Sequence, residues 1–184
     1  MEGTEETLSA VILRAKSGDR GAFDLIYKEY VTPLYRYVYI RMRSKEDTED
    51  VVQETFLKAF QALPRYEHSK ETMLPYLFTI ARNLLINHRK KKRPDTFLPE
   101  EMDRQKGEDD TMRPSIQREQ GEELHKAMEA LSDLEREVIE LKFFGEQTYA
   151  EIAQTLGKRE DAIRQHVARA LKKMRGVIDD ANGA

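Results

Sequence analysis

Apolar residues recur at intervals of three and four along most of the chain, and no segment alternates apolar and polar as a half-buried strand does. The spacing predicts a short helix over 5–17, carried by Leu8, Ile12 and Ala15, and a longer one over 20–43 with Phe23, Ile26, Tyr27, Tyr30, Leu34 and Val38 inward. Pro33 brings no N–H to the second and is expected to bend or split it. Ser44, with an acid three positions on at Asp47, is a capping box that opens a helix from 45 to 63, ended by Pro64. A loop over 65–72 leads to a helix over 73–92, ended by Pro94. The pattern resumes in helices over 116–131, 133–144, 148–156 and 160–177, and Asp179–Ala184 reads as a frayed tail. The fold class is all-α.

Between Pro94 and Ser115 the periodicity stops. This stretch holds Pro94, Pro99 and Pro114, an acidic run from Glu100 to Asp110, and few apolar anchors. Such a composition cannot offset the entropy of ordering and reads as a flexible linker. Three segments follow: a helical domain over 1–93, an acidic flexible linker over 94–118 and a second helical domain over 119–184. Each domain is small, so each must bury nearly all of its apolar stripe.

Composition narrows the chemistry. The 184 residues include no cysteine, which excludes disulfides, thiolate metal sites and thiol catalysis. No apolar run approaches the ~18 residues of a membrane span. The first six residues, Met-Glu-Gly-Thr-Glu-Glu, are acidic where a secretion signal is basic, so the expected address is the cytoplasm. The net charge of -3 hides local bias. Residues 1–92 carry 16 basic and 13 acidic groups, whereas 93–120 carry 5 and 8 and 121–184 carry 10 and 13. A basic run without acids covers Arg82 to Arg93, and Lys158 to Arg175 holds seven basic groups against Glu160 and Asp161. Two separated basic patches on an acidic chain point to two contacts with one polyanion. Solvated helix faces are the alternative for either run.

The second patch has a context. Thr148 to Glu151 is a capping box that starts a short helix. Gly157 suits the left-handed residue that closes it, and a basic helix follows from Glu160. This is the helix-turn-helix signature. At ~100° per residue, Ile163, Val167, Ala170, Leu171 and Met174 share a buried stripe. Gln165, Ala168, Arg169 and Lys172 lie opposite, with Arg164 on the flank. Arg164 and Arg169 suit guanine edges or phosphates, and Gln165 suits adenine. Lys172, Lys173 and Arg175 lie further along and suit the backbone. An ordinary amphipathic helix with a basic face is the competing reading. His166 reads as a flank or packing residue, since no second histidine stands at ligand spacing.

Two helices of the first domain also divide by face. On 45–63, Val52, Phe56, Ala59, Phe60 and Leu63 form the buried stripe, while Glu46, Asp47, Asp50 and Glu54 gather around Leu57. A leucine inside an acidic patch fits a partner-docking surface; a solvated face with one stray leucine is the alternative. On 73–92, Leu74, Leu77, Ala81, Leu84 and Leu85 point inward, and Tyr76, Thr79, Asn83, Asn87 and Lys90 share the other face. An aromatic, amides and a basic run together suit single-stranded nucleic acid, although tyrosines on helices also serve packing alone.

Three segments in order now carry a resemblance. Glu46–Phe60 resembles region 2.2 of bacterial extracytoplasmic-function (group 4) sigma factors of the sigma-70 superfamily. Pro75–Ile86 resembles their regions 2.3–2.4. Leu131–Ile139, Thr148–Ala153 and Gly157–Leu171 resemble region 4. The resemblance spans about 8–92 and 120–176. It implies a sigma region 2 helical bundle and a sigma region 4 helix-turn-helix in a protein that binds core RNA polymerase, confers promoter specificity and promotes duplex opening. By position it assigns Asp47, Asp50, Gln53, Glu54 and Leu57 to the β′ clamp. Tyr66, Tyr76, Asn83 and Lys90 go to the -10 element, and Arg164, Gln165, Arg169 and Lys172 to the -35 element. Tyr66 falls where an aromatic helps to hold a flipped base, whose extrusion costs a few kcal/mol. The resemblance also implies a β-flap contact and an anti-sigma factor, often membrane-anchored. Tyr76 stands where the family commonly has tryptophan, and Arg159 and Ala162 replace Pro-like and Thr-like positions. His166 and Ala168 replace larger basic or aromatic residues.

The expectation is therefore a transcription initiation factor without enzymatic activity, cofactor, metal or small-molecule substrate. Nothing in the chain forms a nucleophile–base–acid set, a P-loop or a metal cage. A one-component regulator binding duplex DNA alone is the first alternative, though no heptad supports its usual dimer. A helical adaptor without a DNA role is the second, and the basic recognition face argues against it. The acidic linker is a candidate, by charge, to lie in a basic RNA-exit path.

Overall fold

A computed structural model describes residues 7–66, 72–92 and 123–182, with the side chains of 90–92 and 181–182 outside the description. The linker assigned to 94–118 and most of the loop assigned to 65–72 lie outside the described residues, as does the start of the helix expected over 116–131. The chain divides into two compact units, Met1–Phe97 and Leu98–Ala184. Every described element is helical.

The first unit contains α1 (Leu8–Lys16), α2 (Arg20–Met42), α3 (Lys45–Ala62), a 3-10 turn (Leu63–Arg65) and α4 (Leu74–Lys92). Helix α2 packs on α1, α3 and α4, and α3 packs on α4. Asp19 caps α2 by accepting from the backbone N–H of Gly21 at 2.9 Å and of Ala22 at 3.3 Å. Arg14, at 2.6 Å, and those N–H groups hold the Asp19 carboxyl below its ordinary range. Ser44 caps α3 through the Asp47 N–H. The core is built from Ile26, Leu34, Tyr37 and Val38 of α2, Val52, Phe56 and Ala59 of α3, and Leu77, Phe78 and Ala81 of α4. Tilted ring pairs tie the helices together: Phe23 on Phe60 and Tyr27 on Phe56, both at 4.8 Å, and Tyr37 on Phe78 at 5.0 Å.

Two expectations change here. Pro33 does not split α2, which is one helix of 23 residues; the proline ring is buried in the core, and that burial offsets one missing rung. Tyr27 is 42% exposed instead of inward. It sits at the margin of the α2 stripe, in tilted contact with Phe56 and otherwise open to solvent.

The second unit contains α5 (123–129), α6 (Asp133–Ile139), a π turn (Glu140–Phe144), α7 (Tyr149–Leu156) and α8 (Glu160–Asn182). Thr148 and Glu151 form the expected reciprocal capping box. Gly157 closes α7 in the left-handed region at φ 62°. The single helix expected over 133–144 is α-helical only to Ile139 and then widens into the π turn, closed by Gly145 N–H donating to Glu140 O at 3.0 Å. Beyond the turn Gln147 is fully buried; its N–H donates to Leu141 O and its side-chain oxygen accepts from Thr155. Helix α8 extends to Asn182, past the expected end at 177 and through the start of the tail read as frayed. Ile163, Val167, Ala170 and Met174 are buried as predicted, but Leu171 is 41% exposed. It lies one step round the helix from Ala170, at the rim of the stripe.

Ser132 and Glu135 form a second full capping box at the start of α6. Glu135 is buried and also accepts from Lys173 of α8 at 2.7 Å, so one carboxylate both caps α6 and holds α8. The Lys173 ammonium and the Ser132 N–H bring the Glu135 carboxyl down to about 2. Its ionised form is thus favoured by folding.

The glycines of the second unit give opposite predictions. Gly157→Ala places a Cβ in a left-handed conformation and should destabilise the unit by about 1–2 kcal/mol. Gly176 sits in an ordinary helical conformation with open space around its Cα, so Gly176→Ala should stabilise by about 0.5–1 kcal/mol. Urea unfolding of the two variants measures both. Glu135→Ala should lower stability by about 1–2 kcal/mol at neutral pH through loss of the cap. The contribution of Glu135 is complete above the ordinary carboxyl value of 4.5 and vanishes as pH falls toward about 2. Acid unfolding curves of variant and parent should therefore converge over that window.

Candidate polymerase and nucleic-acid interfaces

Helix α3 leaves one face outside the core. Asp50, Gln53, Glu54 and Leu57 are all exposed there, with Leu57 at 58%. Spacings of three and four put them in one stripe. Lys58 lies 3.2 Å from Glu54 and partly neutralises it. Asp47 differs from the others: it is half-buried, and His88 of α4 reaches to 3.8 Å from it. The structure therefore brings four of the five assigned residues together on an open surface and sets Asp47 at the seam with α4.

On α4, Asn83 and Asn87 are exposed, while Tyr76 and Thr79 are half-buried. Thr79 returns its hydroxyl to Pro75 O at 2.7 Å. Lys90 belongs to the helix, but its side chain lies outside the described residues. Tyr66 caps the 3-10 turn and is only 9% exposed; its ring lies 4.6 Å from that of Tyr76. The two aromatics assigned to the -10 element thus form one pair instead of two separate stacking surfaces. Burial, then the neighbouring Tyr30 and Tyr76, push the Tyr66 phenol up to about 12, and burial raises that of Tyr76.

Both stems of the segment between Tyr66 and Thr72 are anchored. The Lys16 ammonium of α1 donates to the Tyr66 carbonyl. The Tyr30 hydroxyl of α2 accepts from Met73 N–H at 3.2 Å and lies 3.4 Å from the Thr72 hydroxyl. Sequence reading missed Lys16 and Tyr30, because their partners lie more than forty positions away.

In the second unit the short helix, left-handed glycine and basic helix are all in place. Arg164, Gln165, Arg169 and Lys172 are exposed along α8. Arg169 donates to His166 Nδ1 at 3.0 Å. Burial, with Arg169 and Lys158 nearby, pulls the His166 pKa down, which suits that acceptor role. Arg164 pairs with Glu160 and lies over the Tyr149 ring at 4.5 Å; neither partner was singled out from the sequence. Lys173, read as a backbone contact, is occupied by Glu135 instead. Its place on the flank between the basic face and the buried stripe brings it over α6. Among the described residues no three histidine, aspartate or glutamate side chains gather as a metal site, and no helix is long and apolar enough to cross a membrane.

The described residues thus form a helical bundle with one exposed acidic stripe and a helix-turn-helix whose second helix carries a basic face, the arrangement of a two-part transcription factor. Sequence models of the two halves agree: Sigma-70 region 2 matches residues 26–94, and Sigma-70, region 4 matches residues 121–174. The chain belongs to the sigma-70 family of RNA polymerase sigma factors, within the extracytoplasmic-function group. It is 29% identical over 172 residues to the ECF sigma factor BldN of Streptomyces coelicolor, covering 92% of this chain and 65% of that protein. It is also 29% identical to SigM of Bacillus subtilis, covering 85% of this chain and 98% of that one. The fold matches that of CnrH, solved with the cytosolic domain of CnrY, at a TM-score of 0.70 and 21% identity over 95% of this chain and 99% of that one. It matches sigma factor RpoE of Bartonella quintana, solved with the anti-sigma factor NepR, at 0.61 and 22% identity over 85% and 96%. Regions 2 and 4 of sigma factors bind core polymerase and promoter DNA and serve transcription initiation.

The buried Tyr66 phenol makes a pH prediction. A group whose pKa is raised on folding contributes stability below its unfolded value of 10.0 that is lost as pH climbs to about 12. Tyr66→Phe should flatten the alkaline limb of the stability curve over that range, as read by chemical denaturation at stepped pH.

Proposed function

We propose that region 2, taken as residues 1–93, docks on the β′ clamp of core polymerase through Asp50, Gln53, Glu54 and Leu57, with Asp47 at the edge of the contact. Tyr66, Tyr76, Asn83 and Lys90 then engage the opened -10 element. Region 4, residues 119–184, reads the -35 duplex through Arg164, Gln165, Arg169 and Lys172 and meets the β flap, and 94–118 links the two. The observation that carries this reading is the exposed Leu57 in one surface stripe with Asp50, Gln53 and Glu54 on α3. A leucine at such a site gains its binding energy when a partner covers it and the surrounding polar groups keep water out.

The chain acts without enzymatic chemistry of its own: it redirects the catalyst it joins. Its working place is the cytoplasm, where polymerase and promoter are. RpoE of Bartonella quintana is solved with an anti-sigma factor, and a protein of that kind acting on this chain would cover the same polymerase-facing residues. Membrane tethering would come from that partner.

Leu57→Asp should weaken association with core polymerase about tenfold or more while leaving the thermal midpoint unchanged, because the residue is exposed. Asn83→Ala should leave core binding intact and reduce promoter opening, read by permanganate reactivity of unpaired thymines. Wild-type core affinity in Leu57→Asp would refute the docking face, and unchanged opening in Asn83→Ala would refute its -10 role.

A further inference from the structure

The Arg164 guanidinium is held before any DNA arrives. Its Nε and Nη2 both donate to Glu160 Oε1, at 3.1 and 2.5 Å, and its Cζ lies 4.5 Å over the Tyr149 ring. Tyr149 is the first residue of α7 and half-buried. The Lys142 ammonium lies 4.9 Å from the same ring and donates to Gln147 O at 3.1 Å. Gln147 is itself fully buried and tied to Leu141 and Thr155. The aromatic platform under Arg164 therefore follows directly on a turn that is buried and hydrogen-bonded at Gln147.

We infer that Tyr149 and Glu160 are positioning residues that aim Arg164 at a guanine of the -35 duplex. The inference rests on the proposed reading of Arg164 as a base contact and adds the residues that make the contact selective. Glu160 occupies the Nε–Nη2 edge of the guanidinium. The outer Nη1–Nη2 end keeps two parallel donors, the arrangement that matches O6 and N7 of guanine. The cation–π contact with Tyr149 restrains the group from one side, and Arg164 stays exposed on the other. Fixing the side chain in the free protein removes its ordering from the cost of binding.

Glu160 adds a second effect through its charge. A phosphate approaching Arg164 must compete with a carboxylate already bound there and is repelled by it. A neutral base edge meets no such repulsion. Asp161 treats Arg159 in the same way, at 3.0 Å. The two acids in the first turn of α8 thus pair with Arg159, just before the helix, and Arg164, one turn on, and restrain backbone binding at arbitrary sequence. Removing the Glu160 charge should strengthen binding to any DNA and weaken discrimination. Removing the Tyr149 ring should weaken discrimination alone.

The test uses holoenzyme assembled from core polymerase and the full chain. The probes are promoter duplexes that this holoenzyme selects from a library randomised at -35, and the same duplexes with each -35 guanine pair replaced by A·T. Wild type should prefer guanine about tenfold or more at the position where Arg164→Ala loses that preference. Tyr149→Leu should lose about as much at that position with the salt dependence of binding unchanged, and Tyr149→Phe should keep it. Glu160→Gln, at an exposed side chain, should lower the ratio while binding non-promoter DNA several-fold tighter.

If Arg164→Ala loses the preference while Tyr149→Leu and Glu160→Gln keep it, positioning is refuted and base readout stands. A Tyr149→Leu variant that weakens on all sequences equally would mark a purely structural ring and refute its positioning role. An Arg164→Ala variant with every ratio unchanged would overturn the readout itself, and the positioning with it.

Discussion

Each half of this protein is a small helical unit, and the stability of such a unit depends on every helix burying one whole stripe. That constraint determines where function can reside. With Val52, Phe56 and Ala59 committed to the core, α3 has only its opposite face left, and there Leu57 stands among carboxylates. With Ile163, Val167, Ala170 and Met174 committed, α8 has only its arginine-bearing face left in solvent. Core and interface are two sides of the same helices, and the second could not be held in place without the first.

Electrostatics then sorts the charged groups into those that bind outward and those that hold the fold. Glu135 and Lys173 fall in the second group: one carboxylate caps α6 and anchors α8, and its ionisation is favoured by both contacts. Asp19 serves similarly between Arg14 and the start of α2. The acids at the start of α8 complement the helix dipole while pairing with Arg159 and Arg164. The exposed acids of α3 and the basic face of α8 lie outside both cores. A count of charges along the chain cannot separate these groups, because the separation depends on which residue lies across a helix junction.

What could be read in the sequence follows from that distinction. Features set within a few residues were legible: the Thr148–Glu151 box, the left-handed Gly157, the four residues of the buried α8 stripe. Stripe margins were less so, since at ~100° per residue Tyr27 and Leu171 sit where a small rotation decides exposure. Of the two outcomes expected at Pro33, the split does not occur: α2 runs through it as one helix with the proline buried. The π turn at Glu140–Phe144 interrupts an otherwise regular apolar spacing, and the Tyr66–Tyr76 pair and the Tyr149 platform join separate segments. No local pattern encodes them. The family motifs supplied the candidate positions, and the geometry distinguished Arg164, held on two sides, from Lys173, already engaged.

Run-off transcription with purified core polymerase on a library of promoter fragments, with and without this chain, tests the central claim most directly. The account predicts transcripts that appear only with the protein, from start sites sharing two separated upstream motifs. No transcripts, together with tight binding of the protein alone to duplex DNA, would contradict it and indicate a regulator that works without joining the polymerase.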